Sequence, residues 1–499
     1  MTKQSTAHDD SQVPAIRIRT ANDAPIRADG EFVLYWMIAQ RRAGWNFALD
    51  RACEIARGLG RPLVVLEGLR SDYRWASDRM HRFVLQGMAA NEARFSEAGV
   101  CYYPYVEPEP RAGNGLLEAL AKRACAVVTD DFPCYFLPRM VAVAARRIDV
   151  RCEAIDSNGL LPMRAPNRIF LRAVDFRRYL QRELGPHLLS SPAEKPFDGK
   201  KHAGEYELPR AITKHWARAS AKLLRAEASD LAALPIDHRV GAAIMEGGSD
   251  AAEKTMRLFL KQRLATYIED RNEPDDDAAS GLSPYLHFGH LSAHEIFQAL
   301  AKQEDWSPAK LKGKGNGERA GWWQMSESAE AFLDQLTTWR ELGYNGCTYQ
   351  PGFDQYDSLP AWARESLAKH ESDTRANLYT LDEFAAADTH DELWNAAQRQ
   401  LVREGRLHNY LRMLWGKKIL EWSPSPREAL AHMIELNNRF AVDGRNPNSY
   451  SGIMWCLGRY DRPWGPERPI YGNIRYMSSD NTSRKLNTRK YLERYSANA

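Results

Sequence analysis

The sequence predicts an α/β N-terminal domain with a parallel, Rossmann-like sheet, followed by an all-α domain. Three observations lead to this prediction. From Glu31 to about residue 165, short apolar runs alternate with segments of helical period, as in parallel sheets covered by helices. A stretch rich in proline, arginine and polar residues follows, and from about residue 216 nearly every segment has helical period. The chain of 499 residues is also too long for one ordinary core.

Apolar strands and helical segments alternate through the first part. The strands are short apolar runs, and the helices have apolar residues three or four positions apart. This alternation predicts right-handed strand–helix–strand units and a parallel sheet covered by helices. In chain order the strands are FVLYWMIA, PLVVLEGL, VCYYPYVE, CAVVTDD and VRCEAID, and the helices are NFALDRACEIARGLG, HRFVLQGMAANEARFSEAG, GLLEALAKRA and VAVAARRID.

These patterns divide the chain into four parts. We predict a flexible tail over residues 1–28, the α/β domain over 29–165, an interdomain connection over 166–215 and the helical domain over 216–499. The connection is rich in proline and polar residues, which are typical of surface loops. The main helical segments of the last part are AAEKTMRLFLKQRLATYIED, SAHEIFQALAKQ, AEAFLDQLTTWRELG, PAWARESLAKH, DELWNAAQRQLVREG, HNYLRMLWGKKILEW and SPREALAHMIELNNRF.

Composition argues against several classes of protein. The chain is 44% hydrophobic and 27% charged, as in folded rather than disordered proteins. No apolar run reaches the length of about 18 residues that a membrane helix needs, and MTKQSTAHDDSQ lacks the apolar core of a secretory signal. Seven cysteines without a C-x-x-C pair predict reduced thiols rather than disulfides or a zinc site. We therefore expect a cytoplasmic, metal-free monomer.

The α/β part lacks the usual phosphate-binding motifs. The turn AQRRAGWN after the first strand contains no G-x-G-x-x-G, and G-x-x-x-x-G-K-[ST] does not occur in the sequence. This disfavours a nucleotide-binding enzyme that works through the α/β half. At the other end, residues 459–499 contain nine Lys/Arg against four Asp/Glu. Such an excess favours phosphate partners, but it is equally typical of an ordinary solvated surface.

Tryptophan is concentrated in the helical part. A core of large aromatic side chains explains most of this enrichment. However, Trp415 and Trp422 are seven positions apart on one predicted helix and so share a face, about 10 Å apart along its axis. Indoles at that spacing can pass an electron. Nine of the 14 tryptophans follow residue 320, namely Trp322, Trp323, Trp339, Trp362, Trp394, Trp415, Trp422, Trp455 and Trp464.

The segment TYIEDRNEPDDDAASGLSPYLHFGHLS, residues 266–292, contains a second candidate site. Its Ser280–Ser283 run lies between an acidic stretch and Pro284, just before a helical pattern. Amides and hydroxyls in such a loop can hold a diphosphate, helped by the N-terminus of the helix. An ordinary capped loop has the same residues, so this run alone does not decide between the two.

The same segment resembles the flavin-diphosphate loop of the photolyase–cryptochrome family. In that family a tyrosine precedes a Ser/Thr-rich loop and the motif L-S-P-x-L-x-x-G-x-x-S. The matching residues here are Tyr267, Leu282, Ser283, Pro284, Leu286, Gly289 and Ser292. Further along, the segments that resemble class II cyclobutane-pyrimidine-dimer photolyases are FLDQLTTWREL, LHNYLRMLWGKKILEW, LNNRFAVDGRNPNSYSGIMWC and ERPIYGNIRYM. The resemblance extends from about residue 30 to the end of the sequence.

The resemblance implies an FAD cofactor, held in a folded form inside the helical domain. Arg412 and Asp443 resemble the ion pair beside the flavin ring, and a role at the cofactor explains a buried charge pair better than stability does. Asn437 resembles the residue that faces flavin N5, with the adjacent Asn438 as the alternative. The residues that match cofactor contacts are Tyr267, Ser280, Gly281, Leu282, Ser283, Arg340, Asn345, Arg412, Asn437, Asp443 and Asn448.

The resemblance also implies an electron path and a pocket for a DNA lesion. Trp415 matches the residue next to the flavin, Trp394 the next one outward and Trp422 a neighbouring aromatic, with Tyr379 as an auxiliary. A dimer flipped out of the duplex needs flat apolar walls, for which the matching residues are Trp339, Met413, Trp455 and Trp464. Phosphate contacts, which do not read the base sequence, would come from Arg459, Arg462, Arg468 and Arg475.

One position departs from the family pattern. The family has a glutamate in the context F-L-x-E-L that hydrogen-bonds the dimer, whereas this sequence has Gln335, preceded by Asp334. Glutamine keeps an acceptor for a thymine edge but has no carboxyl proton. Asp334 compensates only if it faces the same way, and adjacent positions of a helix point about 100° apart.

The implied function is light-driven repair of cyclobutane pyrimidine dimers in damaged DNA, by electron transfer from excited, reduced FAD. The enzyme would be a carbon–carbon lyase. A cryptochrome-like photoreceptor without repair activity is the leading alternative, favoured by Gln335 and disfavoured by the short C-terminal extension. An antenna pigment in the α/β domain is compatible with the sequence. A deazaflavin, a folate and no antenna at all remain open as alternatives. Catalytic roles are expected for Trp394, Trp415, Trp422, Asn437 and Gln335.

Overall fold

The computed structural model describes residues 13–198, 203–276 and 278–498. Its first part is a six-stranded sheet with helices on both faces, and the described residues after the last strand are helices and connecting segments. The strands are β1 (Ile18–Thr20), β2 (Phe32–Met37), β3 (Leu63–Leu69), β4 (Cys101–Val106), β5 (Ala124–Asp130) and β6 (Cys152–Ile155).

The sheet has the strand order β1-β6-β5-β2-β3-β4. All neighbouring strands are parallel except β1, which pairs antiparallel with β6. Without β1, the order corresponds to the 3-2-1-4-5 arrangement found in Rossmann folds. Every residue of β2 and β5 is buried, as expected when helices cover both faces. The predicted fold class, a parallel α/β domain followed by an all-α domain, is confirmed.

Helices make up most of the described chain. Two irregular π-helical turns, Phe259–Arg263 and Asp334–Trp339, each continue an α-helix. The 3-10 helices are Ala15–Arg17, Pro308–Lys310 and Tyr356–Ser358. The α-helices are α1 (Phe47–Leu59), α2 (Asp78–Glu97), α3 (Leu116–Ala121), α4 (Leu137–Arg147), α5 (Ala173–His187), α6 (Arg210–His215), α7 (Ala221–Leu224), α8 (Ala228–Leu231), α9 (Ser249–Leu258), α10 (Tyr267–Asp270), α11 (Ser283–Phe288), α12 (Ala293–Gln303), α13 (Glu327–Leu333), α14 (Arg340–Tyr349), α15 (Ala361–Lys369), α16 (Leu381–Ala386), α17 (Glu392–Glu404), α18 (Asn409–Trp422), α19 (Pro426–Phe440), α20 (Pro447–Cys456), α21 (Ser479–Lys485) and α22 (Arg489–Arg494).

The edge strand β1 corrects the predicted tail over residues 1–28. Residues 1–12 lie outside the described part, but from Val13 onward the chain packs against the sheet. Arg17 is 1% exposed, and it donates to the carbonyl oxygens of Asp156 and Leu160 at 3.2 and 2.8 Å. A strand of three residues is too short for an alternating pattern, so the sequence alone did not reveal it.

Helix α5 corrects the predicted connection over residues 166–215. Its buried apolar residues Ala173, Phe176, Leu180 and Leu184 recur at helical spacing. The prolines and arginines on either side of this segment led to its prediction as loop. Helix α5 packs against the π-helical turn Asp334–Trp339, which brings the connection next to the candidate site.

Arg79 of α2 joins the α/β domain to the helical domain. It is 3% exposed, and burial lowers the pKa of its guanidinium to about 10. Each of its three nitrogens donates to backbone carbonyl oxygens, those of Gly241, Leu401, Val402 and Phe440. Leu401 and Val402 lie in the last turn of α17, and Phe440 ends α19, so one side chain caps two helices that carry candidate site residues.

Three properties of the described chain bear on the expected setting. None of its helices is long and apolar enough to cross a bilayer. Cys101, Cys125, Cys134, Cys152, Cys347 and Cys456 are free thiols. Within the described ranges, no group of three His, Cys, Asp or Glu side chains is arranged to hold a metal ion.

Candidate functional site

A carboxylate occupies the place where a phosphate would bind in the α/β domain. Asp130 ends β5, and its Oδ2 accepts hydrogen bonds from the amides of Ile38, Ala39 and Gln40 at 2.9, 2.7 and 3.0 Å. Its Oδ1 accepts the hydroxyl of Tyr35 at 2.8 Å. In nucleotide-binding folds the amides of the loop after the first strand face phosphate. Since Asp130 already takes them here, this edge does not suit a nucleotide phosphate.

A cavity of about 660 Å³ opens at the same edge of the sheet. The ends of β2, β3 and β4 form its floor, and Tyr73, Tyr135 and Phe136 contribute aromatic walls. His287 and Arg445 enter from the helical domain. Ligands of open parallel sheets bind outside the carboxyl ends of the strands, where the strand order reverses. None of these residues was singled out from the sequence.

In the helical domain, the structure brings three of the predicted cofactor residues together. Ser283, the first residue of α11, donates its hydroxyl to Asp443 Oδ2 at 2.7 Å. Arg412 of α18 donates Nη2 to Asp443 Oδ1 at 3.1 Å. Asp443 lies in the loop after α19, so the three residues join separate elements around one largely buried carboxylate.

The Ser280–Ser283 loop leaves its backbone open beside this carboxylate. Gly281 has φ +73°, a conformation that favours glycine. Among described residues, a Cβ at Gly281 would meet only the Thr255 methyl, at 3.5 Å. Ser280 Oγ accepts the Leu282 amide at 3.4 Å. A flat or charged group can therefore approach the backbone here.

The side chains of Tyr267 and of Leu282 in the loop belong to the apolar core. Tyr267 is 7% exposed and Leu282 is 1% exposed. The Tyr267 ring packs edge-on against Phe259 and Phe332, with centroids 5.4 and 5.7 Å away. Burial raises the pKa of the Tyr267 hydroxyl. Both side chains are thus engaged in core packing.

The predicted residues of α14 and α20 have contacts of their own, outside the Ser283–Asp443 pair. Arg340 donates Nη2 to the Tyr344 hydroxyl at 3.1 Å, and its Nη1 is buried without a partner among the described residues. Asn345 donates to the Arg168 carbonyl at 2.8 Å and accepts the Phe170 amide at 2.9 Å, so both ends of its amide bind the connection. Asn448 is half-buried where α20 crosses α14 at Gly343. Asn345 is therefore not joined to the Asp443 cluster.

The two adjacent asparagines of α19 have different partners. Asn438 is fully buried, accepts the Arg445 amide at 2.9 Å and donates to the Tyr450 hydroxyl at 3.1 Å. It therefore fixes the loop that carries Asp443. Asn437 donates to Ser449 Oγ at 2.6 Å and to Asn438 Oδ1 at 3.1 Å. Asn438 thus accepts a backbone N–H of the Asp443 loop, whereas the hydrogen bonds of Asn437 go to the side chains of Ser449 and Asn438.

Trp415, Trp394 and Trp422 form a buried chain, with exposures of 2%, 0% and 2%. Trp415 donates its indole N–H to Gln398 Oε1 at 2.9 Å, and Trp394 donates to the Trp415 carbonyl at 3.0 Å. The rings of Trp394 and Trp422 meet edge to face, 5.9 Å between centroids. Half-exposed Tyr379 follows, 5.6 Å from Trp422. The contacts run from Trp415 through Trp394 and Trp422 toward the surface.

A second group of indoles lies at the surface, and we call Trp339, Trp455 and Trp464 the indole wall. Trp339 and Trp455 stack in parallel, with ring centroids 4.7 Å apart and an interplanar angle of 14°. Asp461 accepts the indole N–H of Trp455 at 3.4 Å and that of Trp464 at 3.0 Å. The wall presents flat apolar faces whose polar edges are tied to carboxylates.

Arginines surround one end of the indole wall. Arg462 and Arg475 lie against Trp464, with Cζ 4.7 and 5.2 Å from its ring centroid. Arg468 is exposed and lies against Tyr476. The prediction of a phosphate contact is wrong for Arg459, which is 5% exposed and donates to the carbonyl oxygens of Phe353 and Ser358. Predicted Met413 is half-buried on α18, packed against the apolar core around Trp394.

Gln335 lies half-buried on the π-helical turn, beside an aspartate with other partners. Both oxygens of Asp334 accept hydrogen bonds from Arg177, at 2.7 and 3.0 Å. Asp334 Oδ2 also accepts the indole N–H of Trp339 at 3.2 Å. Asp334 is therefore not free to replace the glutamate that the family has at the next position.

Sequence reasoning missed Arg177, Gln398 and Asp461. Arg177 lies in the segment predicted as loop, 157 positions before the aspartate that it binds. Gln398 is four positions after Trp394 along α17, so a helical spacing from Trp394 would have found it. Asp461 directly precedes Arg462 in a turn, and nothing in the sequence marks it as the acceptor of two indoles.

Comparison with known proteins decides the family. No protein-family model matches the chain. It is 31% identical over 494 residues to a deoxyribodipyrimidine photo-lyase of Methanothermobacter thermautotrophicus, covering 97% of this chain and 98% of the relative. The chain belongs to the deoxyribodipyrimidine photo-lyase family. It is also 33% identical over 481 residues to a family member of Oryza sativa, covering 92% of this chain and 86% of the relative.

A solved structure supports the same fold. A bacterial class III photolyase from Agrobacterium tumefaciens superimposes with a TM-score of 0.66 at 16% identity, covering 93% of this chain and 86% of the other. The predicted family is thus confirmed, as is the enzyme class, and the names of the relatives favour repair over the photoreceptor alternative. Photo-lyase family membership implies a flavin chromophore.

Proposed function

We propose that this photo-lyase family member repairs cyclobutane pyrimidine dimers in DNA, using light and an FAD held in the helical domain. The parallel stack of Trp339 on Trp455, with arginines at one end, is the observation that supports this function best. Two flat indole faces at the surface match the shape of a flipped-out dimer. The arginines match the backbone phosphates on either side, which fix position without reading sequence.

The residues of the Asp443 cluster fit FAD. Its diphosphate needs hydroxyl and amide donors, and the Ser280 hydroxyl and the open backbone at Gly281 offer them, while the Ser283 hydroxyl donates to Asp443 and joins the loop to the cluster. Arg340 adds a buried guanidinium nitrogen without a partner, which a cofactor oxygen would satisfy. When bound, reduced FAD supplies an electron on excitation by light and takes it back after the dimer has opened. We propose that the buried side chains of Tyr267 and Leu282 anchor this region in the apolar core.

The protein's own groups then bind, orient and keep charge in place. Arg412 and Asp443 hold each other beside the cofactor, while Asn437 offers a neutral amide that suits either protonation state of flavin N5. Asn448 and Asn345 both match cofactor contacts by resemblance. Asn345 is the weaker candidate for cofactor binding, because its amide already binds the connection. The indole wall and Met413 would hold the dimer, and Gln335 would offer its amide to a thymine edge.

We also propose the class II type for this chain. The support is the chain of contacts from Trp415 through Trp394 to Trp422, at the positions that match class II photolyases. In this assignment the three indoles would pass an electron from an external one-electron donor toward the oxidised cofactor, and they would take no part in repair itself.

The cavity at the carboxyl edge of the sheet is our candidate for an antenna chromophore, a deazaflavin or a folate. Gly68 lines it, and a Cβ there meets no described atom within 4 Å. Gly68→Phe should therefore fill the cavity without disturbing the sheet. We expect the variant to lose a second absorption band while keeping its flavin band. A protein that shows only flavin absorption before the substitution would contradict the antenna.

The test of the main proposal is direct. The purified protein is reduced, mixed with dimer-containing DNA and illuminated, and thymine absorbance is followed. We expect absorbance to recover in light and not in darkness; no recovery would refute repair, and a protein without flavin would refute the cofactor. Gln335→Glu in the same assay should raise the quantum yield of repair, because the carboxyl group restores a proton donor near the dimer.

A cytoplasmic, monomeric protein remains our proposal for its setting. The free thiols of Cys101, Cys125, Cys134, Cys152, Cys347 and Cys456 are in keeping with a reducing compartment. Sedimentation of the purified protein with and without reductant would test the monomer, and a shift to a larger species would contradict it.

A further inference from the structure

An ion pair outside the predicted site reaches the indole wall. Arg177 of α5 and Asp334 form two parallel hydrogen bonds, Nε to Oδ1 at 2.7 Å and Nη2 to Oδ2 at 3.0 Å. Their side chains are 6% and 11% exposed. Bidentate arginine–carboxylate pairs have fixed geometry. The position of the Asp334 carboxylate is therefore set by a helix of the interdomain connection.

The backbone of the π-helical turn directs this carboxylate at an indole. Asp334 Oδ2 accepts the Trp339 N–H at 3.2 Å, although the residues are five positions apart. In a regular α-helix, residues five apart point about 140° away from each other. In a π-helical turn the hydrogen bonds run from i to i+5, which brings such residues to the same side. The irregular turn Asp334–Trp339 is thus what makes the contact geometrically accessible.

We propose that Arg177 and Asp334 are positioning residues, which hold the Trp339 indole parallel to Trp455 before the lesion arrives. The inference rests on the proposed function, since the wall is assigned there to the dimer. A buried ion pair is weak evidence of stability, because desolvation offsets the attraction between the charges. The hydrogen bond from the Trp339 indole to Asp334 gives the pair a role other than stability, which is to orient the wall. A wall already in place does not have to be ordered when DNA binds, and such preorganisation favours affinity.

The principal variant is the double substitution Arg177→Met with Asp334→Leu. It removes both charges together, which leaves no unpaired buried charge and is often tolerated. We expect its affinity for a dimer-containing duplex to fall about tenfold, in the lower part of the range for loss of one stacking platform. Its affinity for undamaged duplex and its flavin content should stay unchanged. Asp334→Asn keeps an acceptor for Trp339 and should recover part of the lost affinity.

A spectroscopic measurement without DNA tests positioning directly. Two parallel indoles at 4.7 Å couple their electronic transitions, giving a circular-dichroism couplet that Trp339→Phe identifies by removing it. We expect the double variant to weaken this couplet and Asp334→Asn to retain more of it. A matched control is Arg51→Met with Glu153→Leu, which removes a bidentate pair of 2.8 and 3.3 Å in the α/β domain. This control should leave both the couplet and dimer binding unchanged.

The outcomes separate this inference from the proposed function. If the double variant keeps the wild-type couplet and dimer affinity, the positioning role is overturned while repair stands. If the wild-type protein does not distinguish dimer-containing from undamaged DNA, the proposed function fails, and the couplet still decides the positioning role. Loss of the couplet in the Arg51 and Glu153 control would also overturn the inference, because the effect would then be a general loss of structure.

Discussion

The two tryptophan groups of the helical domain differ in what holds their indole N–H groups. In the buried chain, Trp394 and Trp415 donate to neutral acceptors, a backbone carbonyl and the Gln398 amide. In the indole wall, all three indoles donate to carboxylates, those of Asp334 and Asp461. The indole N–H groups of Trp394 and Trp415 thus meet neutral acceptors, whereas those of the indole wall meet carboxylates.

The difference suits the two proposed tasks. Inside the protein an unpaired charge is strongly disfavoured, and a fixed charge next to an electron path would favour one oxidation state of a neighbouring indole. Neutral acceptors avoid both effects. In the indole wall, Arg177 balances the charge of Asp334, and a hydrogen bond to a charged acceptor is stronger than a neutral one. Charged acceptors therefore hold the wall in a defined orientation.

The largest expected difference between the groups is in stability. Trp394 is completely buried, so Trp394→Ala should destabilise the protein by about 3–5 kcal/mol, as for other large core truncations. Trp339 is half-buried, and Trp339→Ala should destabilise it much less. Chemical denaturation of both variants measures the difference. Equal losses would mean that the wall is as much a part of the core as the chain is.

An intermediate effect should separate the two functions. Trp455→Ala should weaken binding to dimer-containing DNA by about 1–3 kcal/mol, the range for loss of an aromatic stacking partner, and leave flavin photoreduction unchanged. Trp394→Phe should do the reverse, slowing photoreduction while repair by pre-reduced enzyme stays nearly intact. Fluorescence anisotropy and flavin absorbance measure the two quantities. A variant that loses both would break the proposed division between the groups.

The smallest expected effect concerns the neutral acceptor itself. Gln398→Leu leaves the Trp415 N–H without its partner, which should destabilise the protein by about 1 kcal/mol. Photoreduction should persist, because the hydrogen bond from Trp394 to the Trp415 carbonyl and the ring contact of Trp394 with Trp422 remain. Thermal unfolding and photoreduction of the variant check the two statements. Complete loss of photoreduction would show that the hydrogen bond matters more to the path than the ring contacts do.

Regular elements and short-range patterns could be predicted from the sequence, and long-range pairings could not. The strands β2 to β6 could be predicted because apolar runs alternate with helical segments. The proximity of Trp415 and Trp422 could be predicted because they share one helix. The stack of Trp339 on Trp455 depends on the packing of α14 against α20, which no spacing reveals. The π-helical turn also escapes a search for a 3.6-residue period, and with it the contact of Asp334 with Trp339.

Family resemblance supplied most of the candidate site residues, and the structure sorted them by their contacts. Ser283, Arg412 and Asp443 proved to be neighbours, although 160 positions separate the first from the last. Asn345 proved to bind the connection, and Arg459 proved to be buried. A sequence gives residue types, but whether a guanidinium or amide is already engaged depends on backbone carbonyls that have no side-chain signature.

Because Arg79 caps two helix ends, the helical domain depends on a side chain of the α/β domain. The free carbonyl groups at the ends of α17 and α19 are satisfied from α2, so the helical domain is incomplete by itself. A helical domain transferred to another chain would have to acquire a new donor for these carbonyls. The ends of two helices in one domain therefore depend on a residue of the other, even though each domain has its own core.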